Sequence, residues 1–66
     1  MGMIKINYIY KGNLTGLWYE DYMIFYDVKK ALRFLYGTQH KYIIQSWECE
    51  NPEDNNYLNY RFKERR

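Results

Sequence analysis

The sequence predicts a small α+β domain in the order ββαβα: an antiparallel hairpin and a third strand, one helix packed on the sheet, and a short C-terminal helix. Three observations predict it. "MIKINYIY" (3–10) alternates apolar and polar residues with period two, the mark of a half-buried strand. "DVKKALRFLYG" (27–37) repeats its apolar residues at helical spacing between a capping Asp27 and a closing Gly37. "KYIIQSWEC" (41–49) returns to an extended pattern before Asn51-Pro52, a favoured helix entry.

In β-period, Ile4, Ile6, Tyr8 and Tyr10 share one face, with Lys5, Asn7 and Ile9 on the other. "KGNLTG" (11–16) holds two glycines and an asparagine and reads as a turn. "LWYEDYMIFY" (17–26) is again strand-like, and its Glu20-Asp21 pair suggests a bulge or a second reversal. A hairpin over residues 3 to 26 is the expected opening unit.

In the helix 27–37, Val28, Ala31, Leu32 and Leu35 form the apolar stripe, while Lys29, Lys30 and Arg33 face away. Gly37 is expected to end it in the left-handed conformation. In the third strand, Ile43, Gln45, Trp47 and Cys49 should point one way and Tyr42, Ile44, Ser46 and Glu48 the other. Ile44 among polar neighbours suggests that both faces of the sheet are partly covered. Beyond Asn51-Pro52, Glu53 and Asp54 suit a first helical turn. Leu58, Tyr60 and Phe62, however, alternate with strand period, so a fourth strand is the alternative to the short helix. "KERR" (63–66) reads as a frayed tail.

Sixty-six residues make one domain, 1–66, with about 60% of its unfolded surface to bury and little stability to spare. Residues 1–2 leave open a cloning remnant ahead of Met3. A single cysteine, Cys49, excludes an internal disulfide, and a single histidine, His40, excludes a four-ligand zinc set of the usual kind. Two Trp, three Phe and nine Tyr supply the bulk instead. Ten basic against eight acidic residues give a net charge of +2, a weaker basic excess than dedicated nucleic-acid binders carry. No apolar run is long enough to span a membrane, and no export leader is visible, so a cytoplasmic location without a membrane partner is expected. Ile, Asn, Lys and Tyr, all with A/T-rich codons, account for 27 residues and point to a low-GC genome.

Catalytic chemistry finds little to work with. An extended 41–49 would hold Cys49 and His40 roughly 30 Å apart, too far for a thiol–imidazole pair, and the one serine, Ser46, has no base placed beside it. Glu48 and Glu50 share a side of the strand about 7 Å apart, but their spacing with Glu53 and Asp54 is not that of a calcium loop. The glycines form no phosphate-cradling run. The expectation is a non-enzyme with no cofactor and no metal.

"DVKKALRFLYG", the strand after it, and "ECENPEDNNYLNYRF" together resemble small prophage and plasmid accessory proteins of low-GC Gram-positive bacteria. The resemblance covers residues 27–62 and implies a bacterial host and a protein that binds host or phage components, at times as an inhibitor of a defence system.

Two binding modes follow. In the first, another protein is gripped by an acidic and aromatic surface: Trp18, Tyr19, Tyr22, Glu48, Glu50, Glu53 and Asp54. In the second, nucleic acid is bound by the basic helix face of Lys29, Lys30 and Arg33 with Arg61, while strand tyrosines stack on bases. The first is preferred. A homodimer through an exposed edge strand is a further possibility for so small a sheet.

Overall fold

The computed structural model describes residues 2–38 and 41–64. Five elements follow one another: β1 (Ile4–Lys11), β2 (Trp18–Phe25), α1 (Val28–Gly37), β3 (Tyr42–Cys49) and α2 (Pro52–Glu64). The order is the ββαβα predicted. The fourth-strand alternative does not hold, because residues 52–64 are helical. That helix also takes in Lys63 and Glu64 of the expected tail, whereas Arg65 and Arg66 fall outside the described residues, as does His40.

The three described strands form an antiparallel sheet in the order β2-β1-β3. The β1–β2 hairpin closes between Gly12 and Leu17, where the Gly12 N–H donates to the Leu17 carbonyl at 2.8 Å. Gly16 turns the chain with φ +71, and its N–H donates back to the Gly12 carbonyl at 2.9 Å. At Gly12 a Cβ would meet Thr15 Oγ1 and Tyr19 Cε2, each at 2.7 Å, so a larger residue would have to displace those side chains.

Strand β2 pairs residue for residue with β1 from Phe25 to Trp18. The expected bulge or reversal at Glu20-Asp21 is therefore absent. The irregularity lies in β3 instead. Ser46 faces Asn7 and Ile44 faces Tyr8, leaving Gln45 as the extra residue. One inserted residue shifts the alternation by one. Tyr42, Ile44, Trp47 and Cys49 thus share the face of Ile4 and Ile6, and Ile43, Ser46 and Glu48 share the other. The expected grouping of Ile43 and Gln45 with Trp47 is corrected accordingly.

Both helices lie on the Ile4–Ile6 face. Asp27 starts α1 by accepting the Lys29 N–H at 2.9 Å. At its other end Gly37 stays helical, and Thr38 does the capping that Gly37 was expected to do. The Thr38 N–H and hydroxyl both donate to the Phe34 carbonyl, at 3.1 and 2.7 Å. Asn51 starts α2 as predicted, its Oδ1 accepting the Glu53 N–H at 2.9 Å. Ile4, Ile6, Ala31, Leu35, Leu58 and Phe62 interlock as the core. Tyr36 ties the helices together by donating from its hydroxyl to the Arg61 carbonyl at 2.9 Å. Among the described residues no helix lies on the opposite face of the sheet, so the expected two-sided cover gives way to a one-sided one.

Candidate functional site

Strand parity decides which side chains reach the uncovered face. They are Lys5, Asn7, Ile9 and Lys11 from β1, Trp18, Glu20, Tyr22 and Ile24 from β2, and Ile43, Ser46 and Glu48 from β3. At its centre the Asn7 amide donates to Ser46 Oγ at 3.2 Å and to Glu48 Oε2 at 3.1 Å, which fixes three polar side chains in a row. Beside them the Lys5 ammonium stands 4.7 Å from the centre of the Tyr22 ring, a cation–π contact. Around this polar middle lie large apolar groups: Trp18 is 55% exposed, Tyr22 53% and Ile43 52%, with Ile24 also open.

The acidic and aromatic surface expected from the sequence is divided by this geometry. Trp18, Tyr22 and Glu48 share the open face. Tyr19 projects from the other face, where its ring lies 5.6 Å from that of Tyr10 and its hydroxyl is 2.8 Å from Thr15 Oγ1. Glu50 follows β3 and accepts the Met3 N–H at 2.6 Å, so its carboxylate holds the chain before β1 in place. Glu53 and Asp54 stand in the first turn of α2. The nucleic-acid set is divided too. Lys29, Lys30, Arg33 and Arg61 are exposed on the helices, Arg61 lying over the Tyr57 ring at 5.6 Å. They are on the side of the sheet away from Trp18 and Tyr22.

Sequence reading missed Ile43 and the Lys5–Tyr22 and Asn7–Ser46–Glu48 contacts. Ile43 was assigned to the wrong side because nothing local to "KYIIQSWEC" marks the bulge. Lys5 and Asn7 were visible as the polar side of β1, and their cross-strand neighbours follow once the register is known.

The sheet's two edges are blunted. In an antiparallel pair, hydrogen-bonded and non-bonded residue pairs alternate. The Gly12–Leu17 bond sets that phase, so Tyr22 opposite Asn7 is a non-bonded position whose N–H points to the free edge of β2. Asp21 Oδ1 accepts that N–H at 2.8 Å. The Glu20-Asp21 pair that looked like a break thus caps an edge amide in mid-strand. On the other edge, the bulge at Gln45 interrupts β3. Charged edge residues and bulges both oppose the addition of another strand.

Cys49 is half-buried, and burial, followed by the carboxylate of Asp54, pushes its thiol pKa up from 9.0. That favours the neutral thiol over the nucleophilic thiolate. Among the described residues no group of three His, Cys, Asp or Glu is placed to hold a metal ion. No described helix is long and apolar enough to cross a membrane.

Compared with known proteins, the chain matches no family model, no curated protein and no solved structure.

Proposed function

We propose that this chain is a non-catalytic binding module that holds another protein against the uncovered face of its sheet. One observation carries the reading: Trp18, Tyr22, Ile24 and Ile43 stand exposed on a face neither helix covers. Trp and Tyr are the residues that most often carry interface energy, and here they are mounted on strands rather than on a loop. Lys5, Lys11, Glu20 and Glu48, interleaved with them, would set orientation and partner choice.

Size bears on the kind of partner. Three eight-residue strands span about 26 Å by 14 Å, some 400 Å², about half of what each side of a standard interface buries. A flat second copy would leave the interface short of that standard. A partner that also folds around the ends of the strands reaches it. The resemblance to prophage and plasmid accessory proteins makes a host or defence protein the first kind to test, with inhibition or regulation as the consequence of binding. The nucleic-acid reading is weaker, because Trp18 and Tyr22, the most exposed strand aromatics, face away from its cations, and Tyr19 on the cations' side is engaged with Tyr10 and Thr15.

The test is capture from the lysate of a low-GC Gram-positive host with wild type, Tyr22→Asp and Ile43→Asp in parallel. The expected result is a protein retained in stoichiometric amount by wild type and lost from both variants, whose urea midpoints stay near wild type. Retention of the same proteins by all three chains would reject the open face as the binding surface.

A further inference from the structure

The end of the β1–β2 hairpin carries its own pattern, centred on Leu14 and Leu17 and sharing Lys11 and Trp18 with the open face. Leu14 at the apex is fully exposed, and Leu17 beside it is 61% exposed. One residue further along, Trp18 pairs with Lys11, and the next pair is Tyr19 with Tyr10. Lys41, just ahead of β3, borders the same shallow depression as Lys11, Asn13 and Trp18. Moving away from the apex, the order is aliphatic, then aromatic with basic, then tyrosine. The nearest carboxylate on β2, Glu20, is two residues below Trp18, about 7 Å further from the tip. The segment from Lys11 to Tyr19 contains no acid.

The base of the turn is satisfied from within the loop. Gly12 and Gly16 donate to carbonyls within the loop, and the Leu17 N–H donates to Thr15 Oγ1 at 3.2 Å. The Thr15 hydroxyl is in turn 2.8 Å from that of Tyr19. These three N–H groups stay paired when the tip leaves bulk water, while the apex N–H groups of Asn13, Leu14 and Thr15 have no partner within the loop and need water or headgroup oxygens, which keeps the backbone at interfacial depth.

From this arrangement we infer that the hairpin tip is a docking point for an anionic lipid surface. Leu14 and Leu17 enter the acyl boundary, Trp18, Tyr10 and Tyr19 sit at headgroup level, and Lys11 and Lys41 meet lipid phosphates. The contact is peripheral. It needs no spanning helix, and it revises the expectation that no membrane partner exists. Burial of one leucine is worth about tenfold or more in partitioning, and each lysine about fivefold.

Flotation with vesicles tests it, using phosphatidylcholine alone and phosphatidylcholine with one-third phosphatidylserine. Wild type should float with the anionic vesicles, far less with the neutral ones, and should release as salt is raised. The double variant Leu14→Ser/Leu17→Ser should lose about a hundredfold in partitioning. Its urea midpoint should be unchanged, since neither leucine is part of the core. Lys11→Glu should weaken anionic binding, while Tyr22→Asp retains it, and the Leu14→Ser/Leu17→Ser variant should keep any protein held through Tyr22 and Ile43, which separates the tip from the middle of the open face. Absence of wild-type flotation would overturn the inference. So would equal flotation of the double variant, or capture of a soluble protein through Leu14 and Leu17 in place of vesicles.

Discussion

Three residues of α2 distinguish the helix from the strand that their alternation suggested. On a strand, Leu58, Tyr60 and Phe62 would lie together on one face and share one fate. On the helix, Leu58 is fully buried and Phe62 nearly so, while Tyr60 is 65% exposed. Leu58→Ala removes a side chain packed against Ile4, Ile6 and Leu35, and such truncations cost about 2–5 kcal/mol. Phe62→Ala belongs near the upper end of that range, because its ring contacts Tyr36 and meets the Trp47 edge at 5.8 Å. Tyr60→Ala should cost within about 0.5 kcal/mol. A domain of this length has about 3–10 kcal/mol to lose in all. Its unfolding entropy makes each kcal/mol worth about 7 °C, so a 3 kcal/mol loss lowers Tm by about 20 °C. Urea unfolding followed by tryptophan emission is the assay, since Trp47 reports directly on the α2 contact. The same scan by circular dichroism checks that both probes see one transition. Equal losses for Tyr60→Ala and Leu58→Ala would refute the helical account of residues 52–64.

Further outcomes are expected elsewhere in the molecule. Asp21→Ala frees the edge-facing Tyr22 amide, so light scattering at rising concentration should show more self-association than in wild type, with a stability change within about 1 kcal/mol. Glu50→Ala removes the bond to the Met3 amide and should cost about 1 kcal/mol by urea midpoint, a structural effect rather than a lost partner contact. Asn51→Ala should cost a similar amount, about 1 kcal/mol, by removing the cap of α2. Alkaline pH should destabilise the fold. Burial first, then Asp21, Tyr42 and Tyr10, raises the Tyr8 pKa from 10.0, and Cys49 is raised from 9.0. Both groups hold their protons more tightly when folded. Their contribution is therefore complete below pH 9 and is lost as pH rises through the folded pKa values. Urea midpoints measured across that window should decline, and Tyr8→Phe with Cys49→Ala should flatten the decline.

Local signals in the sequence account for much of the fold. Asp27 and Asn51 were legible as caps because capping depends on residues within one turn. The stripe Val28, Ala31, Leu32 and Leu35 was legible because helical period is a property of the segment alone. Gly37 was misread because a helix can end on more than one device, and Thr38 supplied a hydroxyl as well as an amide to the Phe34 carbonyl. The bulge at Gln45 was out of reach, since an extra residue is defined only against the partner strand. With it went the sides of Tyr42 to Gln45, and hence the recognition of Ile43 as an exposed residue. Glu20-Asp21 misled in the opposite sense: two charges in an apolar strand look like a break, yet an edge strand tolerates them and uses one. The candidate site suffered from the same cause. Trp18, Tyr22 and Glu48 do project from one face of the sheet, though spread from one end of it to the other, whereas Tyr19 projects from the opposite face and Glu50, Glu53 and Asp54 lie beyond the strands, grouped with them only by nearness in sequence.

The placement of β1 between the other two strands has a consequence for how the chain acquires its shape. β2 and β3 never touch each other's backbone; each finds its ladder on the earliest strand. Pairing Ile4 with Cys49 must therefore close a loop that encloses nearly everything between them, including the whole of α1. Until that closure, the hairpin has only α1 to cover it and lacks the part of the core that Trp47, Leu58 and Phe62 supply. A nick between α1 and β3 would thus leave two pieces that each hold only part of one core. Reassembly of such halves upon mixing would be the behaviour of a molecule whose parts have no independent life.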